Sequence, residues 1–131
     1  MNKSYLAKII ANDKEGLQMI SACSSGAKVK VSDIKYLESN KVFLLSIERI
    51  KVENENEDKK VNSICRFDFV DKVKSKNIDQ SNQELVLELV GIDYLKNNNV
   101  YEINLFFSNN SHISLTAETI EVILEDQSEI N

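Results

Sequence analysis

Hydrophobic and polar residues alternate along much of this 131-residue chain, which is the pattern of half-buried β-strands. The clearest example is the stretch of residues 61–76, which we predict to be one strand with an apolar face and a charged face. The apolar face holds Val61, Ser63, Cys65, Phe67 and Phe69. The charged face ends in three lysines at alternate positions, Lys72, Lys74 and Lys76, which form the one concentrated positive feature of the sequence.

Alternation or short apolar runs predict further strands at residues 5–10, 28–37, 42–50, 84–91, 100–108 and 113–124. In residues 28–37 the alternation of apolar and polar residues changes phase near Asp33, which indicates a bulge or a bend. Residues 42–50 are apolar on both faces, as is typical of a central strand. In the last segment, Ile120, Ile123 and Leu124 would also fit a short helix. We prefer a bulged strand there because threonine and β-branched residues are frequent.

One helix is predicted near the start of the chain. Asn12 has the side chain of an N-cap, and Glu15 follows at the spacing of a capping box. Apolar residues then recur at helical spacing at Leu17, Ile20 and Cys23. Gly26 supplies a C-terminal stop, because glycine readily adopts the left-handed conformation that ends helices.

Seven or eight strands and one helix, connected mostly by short turns, predict an antiparallel sheet, because parallel strands need long crossovers. The fold class is therefore α+β, mostly β. One small helix cannot cover so many strands, so we expect the sheet to curl on itself or form a roll, with a pleckstrin-homology-like roll as one option by element count. The length suggests a single domain over residues 1–131.

Composition and charge narrow the function classes. The chain is an acidic protein with a formal net charge of −5, 42% hydrophobic and 28% charged residues. This charge disfavours a general nucleic-acid or anionic-membrane binder, since such proteins draw affinity from a positive field. No apolar run approaches the roughly 20 residues of a transmembrane helix, and we predict a cytoplasmic protein. Cys23 and Cys65 form no metal-type pair and are interpreted as two buried thiols rather than a disulfide.

Four segments resemble a known family in their order along the chain, and the resemblance extends from about Leu6 to Asp126. They are residues 17–22 (Leu-Gln-Met-Ile-Ser-Ala), 27–34, 66–76 and 113–126. Together they are similar to a family of small alphaproteobacterial proteins, the domain of unknown function 2948. The resemblance implies kinship without an activity, a cofactor or a catalytic residue. The chain differs from the family pattern in having Cys23 where a histidine is expected and no tryptophan after Asp126, whereas Lys72, Lys74 and Lys76 match it.

Catalytic and metal-binding candidates are few. His112 is the sole histidine of the sequence, and we interpret it as a solvated residue of a hairpin turn. A nucleophile pair of His112 with Cys65 or Cys23 is the alternative, although no local motif activates either thiol. Cys65 alternates with Phe67 and therefore belongs to the core. One histidine and two scattered cysteines do not make a structural zinc site.

The paired carboxylates are interpreted as surface charges. Glu84 and Glu88 share a strand face at roughly 13 Å, which is wider than the ~5–9.5 Å of glycosidase pairs. Three glutamates alternate as in a calcium loop, at Glu53, Glu55 and Glu57. However, Asp58 and Ile64 occupy the positions of the required glycine and bidentate glutamate, which favours a solvated loop. We therefore predict no cofactor and no metal site.

The lysine row, defined as Lys72, Lys74 and Lys76, is the predicted interaction patch. Its charges would be about 6.6 Å apart on a strand, a spacing suited to phosphates or an acidic protein segment. The alternative is that the lysines only prevent an exposed strand from pairing with other chains.

We predict a non-catalytic binding or protein-interaction module whose partner is an unidentified protein or an acidic ligand, with a homodimer as a further option. The alternative is a small-ligand carrier or an enzyme that uses the mouth of the curled sheet, with Cys23, Cys65 or His112 as polar groups. A third option is a stabilising subunit of a larger assembly, which would expose a large apolar patch.

Overall fold

The computed structural model describes residues 6–51 and 59–130, which form one helix and one antiparallel sheet. In chain order the first elements are β1 (Lys8–Ala11), α1 (Lys14–Ser24), β2 (Lys28–Lys30), β3 (Ile34–Leu37), β4 (Val42–Lys51) and β5 (Lys59–Phe67). The remaining elements are β6 (Val70–Lys76), β7 (Val86–Asn97), β8 (Val100–Phe107), β9 (His112–Ala117) and β10 (Val122–Ile130). The predicted class, α+β and mostly β, is confirmed.

The strand order across the sheet is β1-β10-β5-β4-β2-β7-β8-β9-β6, and β3 pairs with β4 beside this path. The sheet is curled, as predicted from the sequence, and it is not closed. β4 lies in the middle of the order, as predicted; its inner face buries Phe43, Leu45 and Ile47, whereas Ile50 on the other face is exposed. β6 lies at one end of the order, so it has a neighbouring strand on one side, β9.

The described chain forms ten strands rather than seven or eight, because each of three predicted strands is divided in two. Residues 28–37 form β2 and β3 around a short 3₁₀ turn at Val31–Asp33, where the sequence changes phase. Residues 113–124 form β9 and the start of β10, with residues 118–121 as a corner between them. The preference for a strand over a helix is confirmed from Val122 onward.

The stretch of residues 61–76 is two strands, and the prediction of a single strand is wrong. Phe69 adopts a left-handed conformation with φ of 59° and is 44% exposed, so it does not continue the apolar face. Backbone hydrogen bonds fix this corner, since Asp68 N–H donates to the Glu121 carbonyl and Glu118 N–H donates to the Phe69 carbonyl. The corner carries the chain from β5, inside the sheet, to β6 at its end.

The helix begins one residue later than predicted. Asp13, not Asn12, is its N-cap, and the Asp13 carboxylate accepts a 2.8 Å hydrogen bond from the Gly16 N–H. Leu17 and Ile20 are buried, which confirms the apolar stripe. After the helix ends, Gly26 has a φ of 84° and reverses the chain, as expected of a C-terminal glycine.

The core fills the inner face of the curled sheet and includes the buried face of α1. Its largest fully buried apolar side chains are Phe43, Phe67, Leu17, Ile20, Leu45, Ile47, Leu89, Ile103, Leu105, Leu115 and Leu124. Most come from strand positions that the alternation assigned to an apolar face.

Within residues 6–51 and 59–130, no helix is long and apolar enough to cross a membrane.

Candidate functional site

The lysine row lies on the outer face of β6. In the β6–β9 pair, Lys72 is opposite Thr116, Lys74 is opposite Ser114 and Lys76 is opposite His112. All three lysines are exposed, and none has a carboxylate partner within 4 Å among the described residues. The alternation predicted from the sequence is therefore confirmed for β6.

The outer face next to the lysine row carries polar and aromatic side chains of β8 and β9. Ser114 Oγ donates to Glu102 Oε1 at 3.0 Å, and His112 Nε2 lies 2.8 Å from Asn104 Oδ1. Phe106, 44% exposed, stacks on the imidazole of His112 with a centroid separation of 5.2 Å. His112 is therefore a half-buried strand residue, and the prediction of a solvated turn residue is wrong.

The inner face of β6 borders an apolar cleft of about 350 Å³ that is also lined by residues of β3. Its apolar lining comes from Val31, Ile34, Tyr36, Phe43, Val73, Ile78 and Ile113. Polar groups are contributed by Ser75, Gln80 and Gln83. The cleft corresponds to the mouth of the curled sheet, and it lies on the face of β6 opposite to the lysine row because successive strand residues point to opposite faces.

Among the described residues of β6, only Val70 forms backbone hydrogen bonds with the β3–β4 hairpin. The Val70 N–H donates to the Lys41 carbonyl at 2.8 Å, and the Tyr36 hydroxyl donates to the Val70 carbonyl at 2.8 Å. From residue 71 to residue 76, the described chain shows no backbone hydrogen bond to any element except β9. Every second residue of this edge therefore directs its N–H and C=O groups outward.

Charges at the start of β6 are already paired. Lys41 Nζ lies 3.0 Å from Asp71 and 3.6 Å from Glu118. Its hydrogen bond and ion pair with Asp71, helped by Glu118, raise the pKa of Lys41 above its usual value. Burial of the Tyr36 hydroxyl, reinforced by the charges of Glu38 and Asp71, raises the pKa of Tyr36. The lysine row begins just beyond this paired region.

The two cysteines are not joined by a disulfide, and neither lines the cleft. Cys65 is fully buried, as predicted, and burial raises its pKa to about 12. At neutral pH its thiolate form is negligible, so Cys65 cannot serve as a nucleophile. Cys23 is half-buried against the core, less buried than predicted.

The remaining sequence candidates do not assemble into a site. In the part of the chain that the structure describes, no group of three or more histidine, cysteine or carboxylate side chains could hold a metal ion. Glu84 lies 3.5 Å from Lys30, and Glu88 is opposite Lys28 in the β2–β7 pair, which fits surface charges. The calcium-loop candidates Glu53, Glu55, Glu57 and Asp58 lie outside the described residues.

A buried charge cluster, consisting of Arg49, Lys51, Ser63 and Asp126, was not identified from the sequence. Asp126 is 5% exposed, and its carboxylate accepts hydrogen bonds from the Arg49 guanidinium at 3.0–3.2 Å and from Ser63 Oγ at 2.6 Å. Lys51 Nζ lies 3.9 Å from the same carboxylate, and the Ala7 N–H donates to it at 2.9 Å. The cluster joins β4, β5 and β10 to the residue preceding β1.

The balance of these interactions sets the charge state of Asp126. Burial favours the neutral acid, but the hydrogen bonds from Ser63 and Ala7 and the charge of Arg49 outweigh it, so the pKa of Asp126 is lowered. The sequence did contain a signal for this cluster. Arg49 continues the inward-facing series of Phe43, Leu45 and Ile47 at the strand period, which places a charged residue on a buried face.

The fold and these surfaces define a small curled-sheet protein with an unpaired edge strand, an apolar cleft on one face of that strand and a lysine row on the other. The model of the protein family of unknown function DUF2948 matches residues 7–131, and the chain belongs to this family. The resemblance seen in the sequence is thereby confirmed. Neither the curated proteins nor the solved structures contain a match to the chain.

Proposed function

We propose that this protein is a non-catalytic interaction module that binds an extended polypeptide segment of a partner protein along the unpaired edge of β6. The observation that carries the proposal is the set of outward-directed backbone groups between residues 71 and 76. An extended segment can add to such an edge as one more strand, with main-chain hydrogen bonds supplying affinity. The cleft and the lysine row then flank the added strand on its two faces.

The alternative of a β6–β6 homodimer is less favourable because of charge. Two antiparallel copies of β6 paired about Lys74 would place Lys74 opposite Lys74 and Lys72 opposite Lys76 on the same face. Like charges directly opposite one another destabilise a strand pair. A partner with a different sequence on its outer face avoids this repulsion, so the edge is better suited to another protein than to a second copy.

Selection from a random-peptide display library tests the proposal without imposing a ligand sequence. Selected peptides are titrated into the isotopically labelled protein and followed by NMR chemical shifts and amide hydrogen exchange. We expect shifts centred on β6 and slower exchange at alternate residues between 71 and 76. Binders that map to another surface, or a selection without binders above background, would overturn the proposal.

A matched pair of substitutions sharpens this test. Ser75 faces the cleft from β6, so Ser75→Phe fills the space that the inner side chains of an added strand would occupy. Ser46 is exposed on the outer face of β4, so Ser46→Phe adds the same ring at a distance. The first variant should lose peptide binding while the second keeps it, provided that circular dichroism shows both folded.

The second candidate is a carrier of a small apolar ligand, which the cleft itself favours. Its volume of about 350 Å³ lies at the small end of the ~300–1,000 Å³ typical of ligand pockets. Neither cysteine nor His112 lines it, so this candidate is a carrier rather than an enzyme using those residues. Native mass spectrometry of freshly purified protein tests it, because a bound ligand adds a discrete mass that Ser75→Phe should remove.

A further inference from the structure

We infer that the segment bound at β6 alternates acidic and apolar residues, with acidic side chains facing the lysine row and apolar side chains facing the cleft. This inference rests on the proposed function, since it specifies the chemistry of the segment that adds to the edge. It follows from the period of two that any added strand must have. One face of such a strand meets only lysines, and the other meets only the cleft.

The outer face supplies three cations that lack partners within the described chain. Lysines at alternate positions are about 6.6 Å apart, which is also the distance between same-face residues of an added strand. Carboxylates on that face would therefore lie beside Lys72, Lys74 and Lys76 in register. Two acidic groups on β6 and β8 are already engaged, because Asp71 pairs with Lys41 and Glu102 accepts a hydrogen bond from Ser114.

The inner face supplies an apolar surface of matching length. Val73 and Ser75 point from β6 toward the cleft, and Ile34 and Tyr36 face them from β3. An acidic side chain placed here would lose water without gaining a cation, which is costly. An aliphatic side chain would instead bury apolar area. The two faces of β6 thus require opposite chemistry at successive positions of the partner segment.

The probe is an eight-residue peptide, capped at both ends, in which valine and glutamate alternate. Its controls are a peptide alternating valine and glutamine, a peptide alternating valine and lysine, and a peptide with the first composition arranged in two blocks. We expect the valine–glutamate peptide to bind roughly tenfold more tightly than the valine–glutamine peptide, as three solvent-exposed ion pairs would allow. The other two peptides should bind more weakly still, and added salt should reduce the glutamate advantage.

A triple substitution identifies the lysines as the source of this preference. Lys72→Gln/Lys74→Gln/Lys76→Gln should lower the affinity for the valine–glutamate peptide to that of the valine–glutamine peptide. Its matched control removes three other exposed lysines, Lys14, Lys28 and Lys35, and should leave the roughly tenfold preference intact. Affinity for the valine–glutamine peptide should be the same in both variants.

The outcomes separate this inference from the proposed function. If library peptides bind at β6 but valine–glutamine and valine–glutamate peptides bind equally, the acidic preference is wrong while strand addition stands. If the valine–glutamate peptide binds but its shifts lie away from β6, both are overturned. If the block peptide binds as well as the alternating one, the lysines attract acidic peptides without pairing residue by residue, and the inferred register is wrong.

Discussion

The buried charge cluster and the lysine row are two groups of charged residues on one sheet. The charges of the cluster are paired with one another, whereas those of the row are not. In the cluster, the buried Asp126 carboxylate accepts hydrogen bonds from Arg49, Ser63 and the backbone of Ala7. In the row, Lys72, Lys74 and Lys76 are exposed and form no ion pair among the described residues.

The contrast separates two uses of charge. Buried charges must be matched inside the protein because desolvation is expensive, so the cluster specifies how β1, β4, β5 and β10 fit together. Exposed cations are already solvated, and losing one costs the fold little. The cluster should therefore control stability, while the row should control binding, and substitutions can test this division directly.

Replacing Asp126 by alanine should produce the largest effect, because it removes the carboxylate that Arg49 and Lys51 contact inside the sheet. We expect the free energy of unfolding in urea to fall by about 3–5 kcal/mol. Glu125→Ala is the control, since Glu125 is on the opposite face of β10 and lies 3.9 Å from Lys8 at the surface. Glu125→Ala should lower the free energy of unfolding by less than about 1 kcal/mol. Equal losses in the two variants would contradict the view that the buried charge cluster controls stability.

Replacing Ser63 by alanine should have an intermediate effect. Ser63 Oγ donates to Asp126 and accepts from Arg49 Nε, so both groups lose a buried hydrogen bond while keeping others. We expect a loss of about 1–2 kcal/mol in urea unfolding. Ser114→Ala is the matched control, because Ser114 also donates to a carboxylate, that of Glu102, but in an exposed position. A loss for Ser114→Ala as large as for Ser63→Ala would show that burial is not the cause.

Acid should weaken the buried charge cluster. The pKa of Asp126 is lowered in the folded protein, so below the unfolded value near 3.9 the unfolded state binds the proton more readily. The stabilisation is therefore complete above that value and is lost as the pH falls through the folded pKa. Asp126 alone cannot change the free energy of unfolding by more than about 1.4 kcal/mol per pH unit.

Urea unfolding between pH 7 and pH 2.5 measures this effect. The free energy of unfolding should decrease less steeply below pH 4 for Asp126→Asn than for the unmodified protein, because the amide does not titrate. The triple lysine-to-glutamine variant is the control and should keep the steep decrease. Identical slopes for the Asp126→Asn variant and the unmodified protein would show that another carboxylate dominates the acid response.

The sequence predicted side-chain faces better than it predicted strand ends. In β7 and β8, alternation alone predicts an inward face, and the structure buries it: Leu87, Leu89, Ile103, Leu105 and Phe107. It did not reveal the corner at Phe69, since the left-handed conformation there is held by hydrogen bonds to residues more than 40 positions away along the chain. A pattern of local alternation contains no information about such contacts.

The candidate site shows the same limit. The exposure of the lysine row followed from alternation alone, whereas the position of β6 at the end of the sheet depends on strand order, which long-range pairing determines. The cleft is lined by residues of β3, β4, β6, β9 and two connecting segments, so no single stretch of sequence describes it. Alternation does predict that Arg49 faces inward, because Arg49 lies two residues after the inward-facing Ile47 on the same strand.

The smallest expected effect on stability is that of replacing the whole lysine row by glutamine. Because Lys72, Lys74 and Lys76 have no ion pairs to lose in the described chain, the free energy of unfolding should change by less than about 0.5 kcal/mol. Affinity for the selected peptides should fall, and unchanged affinity would contradict the proposed role of the lysines in binding an acidic partner. Sedimentation velocity reports separately on self-pairing, because the variant lacks the like-charge repulsion that disfavours a β6–β6 pair.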